Sequence, residues 1–212
     1  MKVLLENITV KIPGTDKILF EIKQFKAEKG ERILIKGPSG IGKTTLLHLI
    51  AGLFLPDKGS VQLNDSDLNE LSDSERSVLR RKNIGIIFQK LNLIEHLTAF
   101  ENVLLQVKGK DSYFKAEESM EKVNMKEFSG ILSSNLSLGE QQRIAVGRVL
   151  AAAPSLVLAD EPTSSLDEVN AANIINSLFS LPDSSTIITV SHDDRIVNKF
   201  NRVINFTDLI KK

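Results

Sequence analysis

Eight residues, Gly37-Pro38-Ser39-Gly40-Ile41-Gly42-Lys43-Thr44, have the types and spacing to grip phosphate. They follow the pattern G-x-x-x-x-G-K-S/T and lie between the apolar run Arg32-Ile33-Leu34-Ile35 and a helical stretch from Lys43 to Ala51. Glycine lets the backbone wrap closely around anionic oxygens and turn its N–H groups inward. The helix that follows adds N-terminal donors and the positive end of its dipole. Gly37, Ser39, Gly40 and Gly42 would shape the cradle, Lys43 would reach the β- and γ-phosphates, and the Thr44 hydroxyl would ligate Mg²⁺. Thr45 is expected to make a second-line contact. A glycine turn that binds nothing is the competing reading, and the strand–loop–helix context weighs strongly against it.

A second constellation follows the apolar run Ser155-Leu156-Val157-Leu158-Ala159, which ends in Asp160-Glu161-Pro162. The C-terminal ends of parallel strands are where α/β proteins bind ligands. Adjacent residues of a strand point in different directions, so two carboxylates here can divide the work. Asp160 is expected to hold the Mg²⁺ shell and Glu161 to polarise an attacking water as general base. An acidic turn is weak by itself; beside a phosphate loop it is strong.

These residues need a scaffold that brings distant strand ends together. Residues 2–10, 17–25 and 31–36 read as short strands separated by turns at Pro13-Gly14 and Glu28-Lys29-Gly30. The alternation in Glu21-Ile22-Lys23-Gln24-Phe25 suggests an antiparallel sheet with one wet face. Apolar strands at 84–88, 155–159 and 186–190, alternating with helical segments, argue for a mostly parallel sheet covered by helices. Residues 90–140 differ: Ala99 to Val107 and Tyr113 to Val123 have helical periodicity and no strong strand intervenes. They read as a helical lobe inserted into one α/β domain spanning 1–212, with Tyr113, Phe114 and Phe128 in its core and His96 on its surface. Ser72/Glu75 and Ser137/Glu140 have capping-box spacing, the latter opening a helix that runs to about Ala153 before Pro154.

Composition narrows the field. Of 212 residues, 27 are Lys or Arg and 27 are Asp or Glu, so the net charge is zero and nucleic acid is not an expected partner. The short run Arg76, Arg80, Arg81, Lys82 reads as a solvated helix end. There is no cysteine, which excludes disulfides and thiolate metal sites. No apolar run reaches the ~20 residues of a membrane span, so a separate subunit would have to supply any spans.

Five further pieces carry a family resemblance: Leu136-Ser137-Leu138-Gly139-Glu140-Gln141-Gln142-Arg143, Gln89 after the strand at 84–88, Ser164-Ser165-Leu166-Asp167, His192 in Thr189-Val190-Ser191-His192-Asp193, and the acidic pair itself. In this order they resemble the signature, Q-loop, D-loop, switch histidine and Walker B motifs of ATP-binding-cassette (ABC) ATPases. The stretch from Leu79 to Gln89, with Leu97-Thr98-Ala99-Phe100-Glu101-Asn102-Val103, is similar to the lipoprotein-releasing and macrolide-export type. The resemblance implies an α/β fold with a P-loop NTPase core, an N-terminal antiparallel β subdomain and the inserted helical lobe. It implies MgATP hydrolysis, with Glu161, His192 and Gln89 catalytic and Thr44, Gln89 and Asp160 around the metal. Ser137, Gly139 and Asp167 would complete the ATP site of a second copy or a related cassette. An integral membrane permease subunit would be the further partner, and the location cytoplasmic, peripheral on the inner face of the cell membrane.

Three departures stand out. Leu138 replaces the first of two signature glycines, so its side chain must turn away from a nucleotide or clash with it. Glu140 replaces the commoner Gln. No aromatic residue lies in Val10–Pro13 for adenine to stack on, Ile12 being the nearest apolar candidate. The lobe also reads as shorter than in close relatives. A low-turnover regulatory cassette, suggested by Leu138, and a non-transport ABC ATPase are the alternatives.

Overall fold

The computed structural model describes residues 1–164 and 166–210; Ser165 of the Ser164–Asp167 motif lies outside the described residues. The first strands, β1 (Val3–Lys11) and β2 (Ile18–Ala27), pair antiparallel, and β3 (Arg32–Lys36) leads into helix α1 (Lys43–Ile50). Strands β4 (Lys58–Leu63) and β5 (Ser66–Asp67), helix α2 (Asp73–Asn83) and β6 (Ile84–Ile87) follow. Next come α3 (Ala99–Leu104), α4 (Ser112–Lys122) and α5 (Leu138–Ala152). The chain closes with β7 (Leu156–Asp160), α6 (Glu168–Phe179), β8 (Thr186–Val190), β9 (Arg202–Asn205) and α7 (Phe206–Leu209).

Two sheets result. One is antiparallel in the order β2-β1-β4-β5; the other is parallel in the order β6-β7-β8-β3-β9. Every residue of β7 and β8 is buried, as befits central parallel strands covered on both faces. Their alternate side chains feed two cores. Ile33, Ile35, Leu156, Leu158, Ile188 and Val190 pack with α1 and the antiparallel sheet. Leu34, Val157, Ala159 and Ile187 pack with α5 and α6. Each fully buried Ile or Leu stabilises the fold by about 1.5–3 kcal/mol.

Strands β4, β5 and β9 escape sequence reading because they are short and carry few apolar residues; β4 holds only Val61 and Leu63. The alternation in β2 also breaks, with Lys23 and Gln24 both exposed. Between β6 and α5 lie α3, α4, two short 3₁₀ turns and an isolated bridge between Thr98 and Leu132. Both anticipated capping boxes form, at Ser72/Glu75 and Ser137/Glu140, and a third at Thr98/Glu101. Tyr113 and Phe114 correct the sequence reading: they are 65% and 68% exposed rather than core. Helix α4 turns Ala116, Ser119 and Met120 inward, and Ser119 donates to the Gly147 carbonyl of α5. The two aromatics, in the first turn, lie outside that contact; Tyr113 rests beside Phe100, ring centroids 5.4 Å apart. Phe128 packs against the core, and His96 is exposed.

Gly85 sets how closely β6 approaches α5. A Cβ there would stand 2.7 Å from a Val149 methyl and 2.8 Å from the Pro154 ring, both stiff side chains. Gly85→Ala should therefore lower unfolding free energy by about 1–3 kcal/mol in urea titration; an unchanged midpoint would show that β6 is free to shift.

Candidate active site

Three strand ends build the site. Ile35 of β3, Val190 of β8 and Asp160 of β7 share one row of the parallel register. The loop after β3, the residues after β8 and the acidic pair therefore emerge side by side. The Ser191 N–H donates to the Ile35 carbonyl at 3.2 Å, and the Glu161 N–H to the Val190 carbonyl at 2.9 Å. These bonds extend the sheet one step into the site.

In the loop, Gly40 and Gly42 have φ of +78° and +109°, a region that side chains disfavour. At Gly42 space decides as well, since a Cβ would stand 2.8 Å from the Phe20 ring. Pro38, Ser39 and Gly40 are exposed, and Thr45 is half-buried in the first turn of α1. Lys43 is 8% exposed. Its ammonium donates to the Gly37 carbonyl at 2.7 Å and the Pro38 carbonyl at 2.9 Å, so a cation sits inside the loop's curve. The Thr44 hydroxyl donates to Asp160 Oδ2 at 2.7 Å. Asp160 is 4% exposed. Burial raises its pKa, partly offset by the Thr44 bond, with the Glu161 charge adding to the rise. A buried carboxylate of this kind gains from a nearby cation.

The two oxygens of Thr44 and Asp160 suit Mg²⁺, a hard ion that prefers oxygen ligands. Among the described residues no cluster of three or more His, Asp or Glu could hold a metal alone. Mg²⁺ needs none, because one or two protein ligands plus substrate phosphates and water complete its shell.

Glu161 adopts φ +48°, which aims its side chain back toward β8 rather than along the strand. Ser191 donates to Oε2 at 2.7 Å, and His192 Nδ1 lies 2.8 Å from Oε1. The carboxylate is 10% exposed while the imidazole is 65% exposed, so the pair spans from interior to solvent. His48, on α1, lies with its ring centroid 5.8 Å from that of Phe88. Gln89, just beyond β6, is exposed.

Ser137 and Gly139 are elsewhere. Ser137 caps α5, and its hydroxyl and N–H both donate to Glu140 Oε2 at 2.7 Å. Those bonds lower the Glu140 pKa. Leu138 is 57% exposed. It lines a groove of about 590 Å³ together with Gln89, Leu91, Leu93 and Gln141 of its own chain. Gly139 packs on Leu166, whose side chain would be 3.2 Å from a Cβ. Among the described residues neither Ser137 nor Gly139 hydrogen-bonds to the Gly37–Thr44 loop. Asp167 is exposed and caps α6, accepting the Asn170 N–H at 2.8 Å, which lowers its pKa.

The family model described as ABC transporter matches residues 20–164. The chain belongs to the ABC transporter family. It is an ABC-type ATPase with the cassette fold. It is 40% identical over 187 residues to the macrolide export ATP-binding/permease protein MacB of Bdellovibrio bacteriovorus, covering 86% of this chain but only 29% of that protein. It is 38% identical over 183 residues to the lipoprotein-releasing system ATP-binding protein LolD of Legionella pneumophila, covering 83% of this chain and 81% of that one. Among solved structures, the dimeric ABC transporter cassette MJ0796 superposes with a TM-score of 0.88 at 33% identity, covering 96% of this chain and 93% of that chain. A post-hydrolysis dimer of MJ0796 bound to ADP and Pi superposes with a TM-score of 0.86 at 34% identity, with the same coverage.

Sequence reasoning missed four residues around the acidic pair and His192: Ser191, Thr163, Asp193 and Arg195. Thr163 and Ser191 are fully buried and Asp193 is 8% exposed. The only sequence signal was a hydroxyl and an acid flanking His192. Arg195, foremost, and Thr163 hydrogen-bond the Asp193 carboxylate and hold its pKa at about 2, down from 3.8. The group is depressed, so its stabilisation is full above 3.8 and lost as pH falls toward 2. Asp193→Asn should therefore cost about 1–3 kcal/mol at neutral pH in urea unfolding. The gap from the unsubstituted chain should close as pH drops through that window; a pH-independent gap would show that the charge is not what matters.

Proposed function

We propose that this chain is the ATP-hydrolysing subunit of a transport complex, working as a pair of cassettes on a separate membrane permease. The observation that carries the reading is a separation. The N-terminus of α5 is exposed at Ser137 and Leu138 and, with Glu140 releasing Ser137, would present donors to an anion. Yet among the described residues Ser137 and Gly139 are bonded to nothing in their own phosphate loop, while solved MJ0796 cassettes are dimeric. A two-fold pairing solves this: the Gly37–Thr44 loop of one copy faces Ser137 and Gly139 of the other, and the reverse. Asp167, beside Leu166 and Gly139, would reach the same shared site.

Within each site the roles follow from placement. Backbone N–H groups of Gly37–Gly42 cradle the phosphates, and the Lys43 ammonium exchanges its carbonyl partners for phosphate oxygens. Thr44 and Asp160, with Gln89 from the other side, would hold Mg²⁺, which supplies charge neutralisation on the phosphates when bound. Glu161 accepts the proton of the attacking water as the bond from that oxygen to the γ-phosphorus forms and the bond to the β–γ bridging oxygen breaks. His192 swings on the exposed side of the pair to hydrogen-bond the γ-phosphate and orient the water.

Leu138, which lines a groove of its own chain with Gln89 and Gln141, has room there to turn away from the partner's nucleotide, which supports ordinary turnover rather than a silent cassette. That groove and residues 90–140 as a helical lobe form the surface offered to a permease. Among the described residues no helix is long and apolar enough to cross a membrane. We assign the chain to the inner face of the cell membrane as a peripheral subunit.

Glu161→Gln should lower steady turnover by at least ~10²-fold, as loss of a general base does, and accumulate an ATP-bound dimer on size exclusion. A variant that hydrolyses normally, or stays monomeric in millimolar MgATP, would contradict the reading.

A further inference from the structure

A hydrogen-bond network outside the phosphate site, with Thr163, Ser191 and Asp193 buried and Arg195 at its exposed rim, joins the residues after β7 to those after β8. Thr163 donates to Asp193 Oδ2 at 2.8 Å. Arg195 grips the same carboxylate with Nε on Oδ1 and Nη2 on Oδ2, each at 2.8 Å. Its remaining Nη1 donates to the Leu166 carbonyl at 3.0 Å. Leu166 is the residue against which Gly139 of α5 packs. From the other side of Asp193, its N–H donates to Ser191 Oγ at 3.1 Å, and that hydroxyl donates to Glu161 Oε2 at 2.7 Å. The hydrogen bonds therefore run unbroken from Leu166 to the catalytic carboxylate.

We infer that Thr163, Asp193 and Arg195 are positioning residues that transmit the placement of Thr163 and Leu166, and with it the start of α5, to the carboxylate of Glu161 through Ser191. The inference rests on the reading of Glu161 as general base. Three physical features support it. A two-pronged guanidinium–carboxylate pair fixes angle as well as distance. Among the buried members, Thr163, Asp193 and Ser191, hydrogen bonds reinforce one another. Ser191 has one hydroxyl proton, and it is committed to Glu161 while its oxygen accepts the Asp193 N–H, so a displacement of Asp193 is passed on to that carboxylate. A shift of about 1 Å at Leu166 would thus misalign the base, and misplacements of that size cost up to ~10²-fold in rate.

The test uses Arg195→Met, Thr163→Val and Thr163→Ser in the full chain, with MgATP hydrolysis and the urea midpoint measured for each. Arg195→Met and Thr163→Val should each lower kcat by about tenfold while KM for MgATP stays within about twofold, the mark of a loss felt after binding. Thr163→Ser, which keeps the donor, should recover most of the rate. Combined with Glu161→Gln, Arg195→Met should still give the ATP-bound dimer, showing that binding and pairing survive. If Glu161→Gln abolishes turnover but Arg195→Met and Thr163→Val leave kcat unchanged, the network is structural and the inference falls alone. It also falls if Thr163→Ser is no better than Thr163→Val. If Glu161→Gln retains turnover, the general-base reading falls and takes the inference with it.

Discussion

The site depends on a register. Ile35, Val190 and Asp160 stand in one row across three parallel strands, so everything that follows each strand by one or two residues meets its counterparts. A slip of one residue would turn every side chain of a strand to the opposite face. Here that would carry the Asp160 carboxylate away from Thr44 and move Glu161 out of reach of Ser191. The slip is prevented by burial: each face of β7 and β8 belongs to a different apolar core, and no residue could change faces without leaving one core short. The same burial that fixes the geometry also sets the electrostatics, because Asp160 lies where a carboxylate charge is poorly solvated.

Local cost is concentrated where the chemistry is. Glu161 takes a left-handed backbone conformation, a departure costing about 1–2 kcal/mol for a residue with a side chain. Its return is the aim of the carboxylate at Ser191 and His192 rather than along the strand. The phosphate loop uses glycine at its own left-handed positions and so avoids that penalty. What holds Glu161 against its strain is the bonding around it: its own N–H on Val190, Ser191 on one oxygen and His192 on the other.

The phosphate loop, the acidic pair and the start of α5 were legible in sequence because each combines a rigid residue pattern with a flanking strand or helix. Ser137 and Glu140 announced the N-terminus of α5 by spacing alone, and the structure places it there. Strand β7 reads as a run of buried residues because both of its faces are covered. Strands β4 and β9 do not, since edges and short strands carry little apolar signal. The exposure of Tyr113 and Phe114 was hidden for a related reason: periodicity gives a helix its face but not where the neighbouring helix stops. The Thr163–Asp193–Arg195 network was illegible because Thr163 lies 30 residues from Asp193 in sequence and reaches it through the pairing of β7 with β8.

The largest consequence of the proposed function is that one chain would hold two halves of different sites. In the proposed arrangement its phosphate loop and acidic pair supply the cation, the metal-side oxygens and the base, while among the described residues Ser137 and Gly139 make no hydrogen bond to that loop. Pairing two copies across a two-fold brings each half to its complement. The most direct test is the rate of ATP hydrolysis per chain, at saturating MgATP, across a dilution series with sedimentation measured in parallel. A rate per chain that rises with protein concentration and follows the dimer fraction is the expected result. A constant rate per chain while the protein sediments as a monomer would contradict the composite site.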